Sequence, residues 1–171
     1  MGGMRIIGID PGLQRTGWGI IDVAGNRLTH ISHGVVSTDS KTPMSERLVK
    51  IFDGLTQMVL LWQPTDAAIE ETFVNQNPAS ALKLGLARGA AMLAPAKAGL
   101  AVAEYPANLV KKSVVGAGHA QKEQVQAMIK ILLPGVEASS DAADALAVAI
   151  CHAHHGMTKA KLGGVMSGGA R

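Results

Sequence analysis

Arg5 to Ile21 reads RIIGIDPGLQRTGWGII: an apolar run meets an aspartate, turns through Pro11 and Gly12, and gives way to a second apolar run. Short apolar runs separated by a Pro-Gly signal read as two strands joined by a tight turn. Asp10 ends the first of them. Aspartate ahead of Pro-Gly is a common turn former, but a carboxylate on a core strand is costly to bury without a partner.

Outward from this stretch, Gly25-Asn26 marks another turn, so Arg5 to Asp10, Thr16 to Val23 and Leu28 to Ser37 form an antiparallel three-stranded meander. From Pro43 the period changes. Leu48, Ile51, Phe52, Leu55, Met58, Val59 and Trp62 follow helical spacing up to Pro64. AAIEE, residues 67–71, is a short strand, and Asn77 to about Pro95 is helical, with Leu82, Leu86, Ala90 and Leu93 on one side. Its many Ala and Gly would let another helix approach closely. GLAVAEY, residues 99–105, is a fifth strand, and two helices follow at Gln121 to Leu133 and Asp141 to His155. The order βββαβαβαα predicts an α/β fold: a mixed five-stranded sheet, the antiparallel meander plus two parallel strands, with helices on both faces. Residues 4–156 form one domain in this reading. The stretch 157–171, glycine-rich and without a period, is expected to be disordered.

Composition supports a folded domain: 47 % of the 171 residues are hydrophobic and 17 % charged. Arg88, Pro95 and Lys97 interrupt the longest apolar stretch, so no membrane span is expected. The start MGGMRII carries neither a signal-peptide pattern nor a myristoylation motif. The single cysteine, Cys151, lies in an apolar run and reads as a buried thiol, which suits a cytoplasmic setting. Net charge is only +3, but residues 83–130 hold seven Lys or Arg against two acids. Such an excess is commonly a solvated helix surface, and it points to an anionic partner only if something else does.

The acids supply that something. Asp10 ends the first strand, Glu70 and Glu71 end the fourth, and Asp141 and Asp144, spaced i, i+3, project from one face of the last helix. Taken alone, Asp141 and Asp144 read as capping residues. As a set, acids at the ends of two core strands and on one helix can converge, and carboxylates that close repel unless cations hold them. Oxygen-only donors suit hard ions, Mg²⁺ or Mn²⁺, two of which can drive an in-line phosphoryl displacement.

The segments IIGIDPGLQRTGWGII, AIEETFVNQNPASALKLGLARG, VKKSVVGAGHAQKEQVQAMI and DAADALAVAI together resemble the RuvC-type Holliday-junction resolvases, over about residues 4–155. The resemblance implies a ribonuclease-H-like fold, a homodimer, and Mg²⁺-dependent endonuclease action on four-way DNA junctions, leaving 5′-phosphate and 3′-hydroxyl ends. It also suggests contact with a branch-migration motor. Asp10, Glu70, Asp141 and Asp144 match the family's catalytic carboxylates, and Glu71 is an added neighbour without an assigned role. Lys111 and Lys122 match basic positions near the scissile phosphate, and Phe73 matches an aromatic in the loop after the glutamate, suited to stacking on an unpaired base. Arg88 is expected to face DNA or the partner subunit, and His119 to touch phosphate. His152, His154 and His155 read as residues suited to a helix C-terminus.

GIDPG also resembles the first phosphate loop of actin-like and sugar-kinase ATPases, but those need two such domains and a second phosphate loop. A non-catalytic junction scaffold would have no reason to keep the acids. An RNA nuclease of the same fold is the remaining alternative.

Overall fold

The computed structural model describes the backbone of residues 2–71 and 77–166, with side chains as far as residue 156. Five strands, β1 (Met4–Asp10), β2 (Arg15–Ala24), β3 (Arg27–Ser37), β4 (Asp66–Glu71) and β5 (Val102–Pro106), form one sheet in the order β3-β2-β1-β4-β5. β1–β2 and β2–β3 are antiparallel, and β1–β4 and β4–β5 are parallel. The mixed sheet is the expected one.

Helices cover both faces. α1 (Met44–Trp62) and α2 (Pro78–Lys97) pack on the side of Ile7, Ile9, Ile20 and Ile69. On the other side, α3 (Ala107–Val115), α4 (Lys122–Leu132) and α5 (Ser140–Met166) cover Ile6, Ile21 and Ala68. The isoleucines named are fully buried, and each contributes about 1.5–3 kcal/mol relative to exposure. The period-2 alternation of β1 and β4 therefore sorts side chains cleanly. Ile7, Ile9, Ala67 and Ile69 face α1 and α2, which leaves Asp10 and Glu70 on the face of α5 and sends Glu71 to the opposite one.

Glycines let α5 lie unusually close to the sheet. A Cβ at Gly17 would stand 2.0 Å from the Asp141 carbonyl oxygen, and one at Gly8 would stand 2.2 Å from that of Ala145. Both meet backbone, so no rotamer change relieves the contact. The alanines of α5, among them Ala142, Ala145 and Ala149, are the matching small residues and are buried.

Two features depart from the expectation, and the packing of α2 settles a direction that the sequence left open. α3 was not anticipated: it is nine residues long, and its only buried positions are Val110 and Val114, too few to establish a period. In α2 the buried residues are Ala87, Ala91, Ala94 and Pro95, while Leu82, Leu86 and Leu93 are exposed, so the small face and not the leucine face packs inward. α5 continues past His155 to Met166, into the stretch expected to lack order. The three histidines thus lie within the helix and not at its end. His152 Nδ1 lies 2.8 Å from Tyr105 Oη and its Nε2 3.5 Å from Asp66, tying α5 to β5 and β4.

Candidate active site

Asp10 and Glu70 end neighbouring parallel strands. Because Ile9 pairs with Ile69, the two acids stand level. A cleft of about 280 Å³ opens over them, lined by Asp10, Glu70, Lys111, Lys122 and Asp144, with Val110 and Val125 among its apolar walls. Three elements thus contribute acids, and two short helices bring the lysines, Lys111 from the middle of α3 and Lys122 from the start of α4. Lys122 Nζ lies 3.4 Å from Asp144 Oδ2.

Asp141 stands to one side. It lines a neighbouring groove, where Arg15 Nε lies 3.2 Å from its Oδ2, but its charge still acts on both Asp10 and Asp144. It is not the helix cap: Ser139 Oγ accepts from Ala142 N at 3.4 Å and takes that role. With the cap supplied by another residue, what the helix end itself gains from Asp141 is a favourable negative charge in its first turn.

The electrostatics are those of crowded acids. Burial, then the charge of Glu70 and a hydrogen bond shared with it, pushes the Asp10 carboxyl up to about 9. Burial also raises Glu70, opposed by the bond to Asp10 and by Lys111 and Lys122. Burial raises Asp144, with Lys122 as the main opposing influence. The Asp10–Glu70 pair therefore holds a proton at neutral pH, the mark of a site short of positive charge. Among the described residues no three His, Cys, Asp or Glu side chains already close around one point as a metal's ligands. The cluster is nonetheless an all-oxygen set around an open cleft, which suits hard ions that keep part of their water.

A family model described as crossover junction endodeoxyribonuclease RuvC matches residues 6–152. The chain belongs to the RuvC family. The RuvC of Paramagnetospirillum magneticum is 60 % identical over 160 residues, covering 93 % of this chain and 96 % of that protein. That of Maricaulis maris is 63 % identical, covering 89 % and 92 %. Thermus thermophilus RuvC, solved in complex with a Holliday junction substrate, superposes with a TM-score of 0.86 at 34 % identity, covering 91 % of this chain and 96 % of that one. A yeast mitochondrial Holliday junction resolvase shares the fold, with a TM-score of 0.64 at 12 % identity. RuvC enzymes are metal-dependent nucleases.

Of the residues expected at the site, Asp10, Glu70, Asp144, Lys111 and Lys122 share the cleft, and Asp141 flanks it. His119 is exposed in the turn between α3 and α4 and does not line the cleft. Phe73 lies outside the described residues. Arg88 is engaged inside the subunit: its Nη2 pairs with Glu104 Oε1 of β5, and its Nε donates to the Glu70 carbonyl at 3.3 Å. It grips the backbone of the residue whose carboxylate enters the cleft, from the other face of the sheet. Sequence reading also missed Thr16. Its buried hydroxyl donates to the Gly12 carbonyl at 2.7 Å, fixing the turn after Asp10.

Proposed function

We propose that this chain is a junction-resolving endonuclease, acting as a homodimer that nicks two symmetry-related strands of a four-way DNA junction. The observation that carries the reading is the convergence of Asp10, Glu70 and Asp144 with Lys111 and Lys122 on one cleft in a member of this family. Asp10, Glu70, Asp141 and Asp144 would hold the metal. Two bound Mg²⁺ or Mn²⁺ ions would supply Lewis-acid activation of water and stabilisation of the leaving oxygen. Lys111 and Lys122 attract and position the scissile phosphate, contributing affinity without base information. Cutting then leaves 5′-phosphate and 3′-hydroxyl ends.

Paired nicks require paired sites, and α2 supports a dimer. Its exposed Leu82, Leu86 and Leu93 form an apolar face, and Gly85 and Gly89 have nothing within 4 Å of where a Cβ would stand. Glycine within a helix costs roughly 1 kcal/mol relative to alanine, and nothing within the subunit requires it at these positions. Close approach of the same face of a second copy would. In this reading, residues 4–156 form the nuclease unit, the setting is the cytoplasm, and a branch-migration motor can share the junction. Within the protein, no helix among the described residues is long and apolar enough to cross a membrane.

The test is a cleavage assay with Mg²⁺ on a mobile four-way junction, a linear duplex of the same sequence and an RNA hairpin. Symmetric paired nicks in the junction alone are expected, and Asp10→Asn should keep junction binding while abolishing cleavage. Binding without cutting by the unaltered protein would make it a scaffold, and cutting of RNA would reassign the substrate.

A further inference from the structure

On the far side of Asp141 from the catalytic cleft runs a groove of about 500 Å³, lined by Arg15, Ser40, Arg47, Ser80, Lys83 and Asp141 among others. It shares Gln14, Arg15 and Ser40 with a second hollow that adds Lys50 and Asp39.

Arg47 is the unusual member. It is only 7 % exposed, and its Nε donates to Thr38 Oγ1 at 2.9 Å. Among the described residues no carboxylate lies within ion-pairing distance of it. Thr38 is itself pinned, its hydroxyl donating to the Leu13 carbonyl at 2.5 Å and its backbone N–H to the Gln14 carbonyl at 2.9 Å. The guanidinium is thus held rigidly, with its two terminal nitrogens unengaged, on the wall of a groove. The terminal nitrogens are not among the buried unsatisfied atoms, so they open onto the groove, and a planar donor fork held in place there matches phosphate oxygens.

We infer that Arg47 is the floor of a phosphate site that seats a backbone phosphate of the nucleic-acid strand crossing the catalytic cleft. The inference rests on the nuclease reading above. A strand fits better than a free anion for two reasons. Asp141 borders the groove while acting electrostatically on the catalytic acids, so groove and cleft are neighbours along one path. Further cations, Arg15, Lys83 and Lys50, are spread along that path instead of closing on one point. The acids facing it are Asp141, which Arg15 already engages, and Asp39, whose Oδ1 accepts from the Lys41 N–H at 2.9 Å.

The test is junction binding in chelator, where nothing is cut, by the unaltered protein and by Arg47→Lys, Arg47→Gln and Lys83→Gln. Junctions carrying a neutral methylphosphonate at single positions flanking the cut provide the probe. The unaltered protein should lose about tenfold in affinity at one or two such positions, the scale of a charge-assisted hydrogen bond. Arg47→Gln should bind the ordinary junction about tenfold more weakly and lose nothing further at those positions. Lys83→Gln, an exposed change that leaves the fold intact, should reduce the slope of log affinity against log salt by about 0.9, and it carries the test if the Arg47 variants do not fold. Methylphosphonate losses that persist in the Arg47 variants, or an unchanged salt slope in Lys83→Gln, would overturn the proposal. So would an Arg47-dependent thermal shift with inorganic phosphate accompanied by unaltered junction binding, which would give the site to a free anion. Failure of the unaltered protein to cut junctions would instead bring down the nuclease reading, and the binding arms would still report on the groove.

Discussion

At the scale of single residues, Asp10 ties stability to function through its proton. In the unfolded chain its carboxyl titrates near the ordinary value of 3.8, whereas folding pushes it up to about 9. Between those values the folded state binds the extra proton, so without metal the contribution to stability falls as pH rises across that window. Thermal melts in chelator should therefore show Tm declining from pH 5 to pH 9. Asp10→Asn should flatten that decline and raise Tm at pH 8, by roughly 2–4 °C for each kcal/mol of strain removed. An identical pH dependence in the variant would show that the buried proton lies elsewhere. Arg88 makes a second case. Because it holds the Glu70 carbonyl and Glu104, Arg88→Ala should lower kcat about tenfold or more, the scale of a misplaced catalytic group, with junction affinity in chelator unchanged. Arg88→Lys should recover little, since a lysine cannot reproduce a two-armed fork. A loss of junction affinity equal to the loss of rate would return Arg88 to the DNA surface.

At the scale of elements, what was legible in the sequence was whatever repeats or ends a repeat. The strands of the meander, α1 and the strand ends carrying Asp10 and Glu70 all show as periods with punctuation. α3 did not show, because two valines on nine residues set no period. The direction of the α2 leucines was not legible for a different reason. Helical spacing reveals a face but not which way it points, and here a row of alanines is the side that packs. Arg88 shares that ambiguity, since a basic residue on a helix gives no sign that its partners are a carbonyl and a glutamate across the sheet. The closeness of α5 to β1 and β2 was visible only as scattered glycines, whose meaning depends on the residues opposite. Gly17→Ala should test it. The added methyl meets the Asp141 carbonyl and must move the start of α5, costing about 1–3 kcal/mol by overpacking. Cleavage should fall far more than the melting temperature, because Asp141 and Asp144 move with the helix. Activity near that of the unaltered protein would mean the helix start yields without consequence.

At the scale of the whole molecule, the exposed face of α2 sets the expected assembly. Leu86→Glu should shift sedimentation from dimer to monomer while leaving the melting transition of the subunit nearly unchanged, since surface substitutions usually stay within about 0.5 kcal/mol. If the monomer still nicks, it should cut one strand of a junction without coordinating the second cut. A variant that remains dimeric would move the interface elsewhere. The subunit also carries an ion pair far from the cleft: Arg5 holds Asp22 of the adjacent strand at 2.6 Å and the Trp62 carbonyl at 2.9 Å, joining β1, β2 and the end of α1.

The doublet Glu70-Glu71 also bears on how the chain avoids a folding error. A slip of β4 by one position against its neighbours would turn every side chain to the other face, bringing Glu71 over the cleft in place of Glu70. A mispaired molecule could thus present a carboxylate where one is wanted and pass for a working enzyme. Ile69 and Ala67, now in the layer under α1 and α2, would be exchanged for Glu70 and Ala68. What rejects that pairing is the apolar layer itself, since the slip would put a carboxylate in the place of the fully buried Ile69.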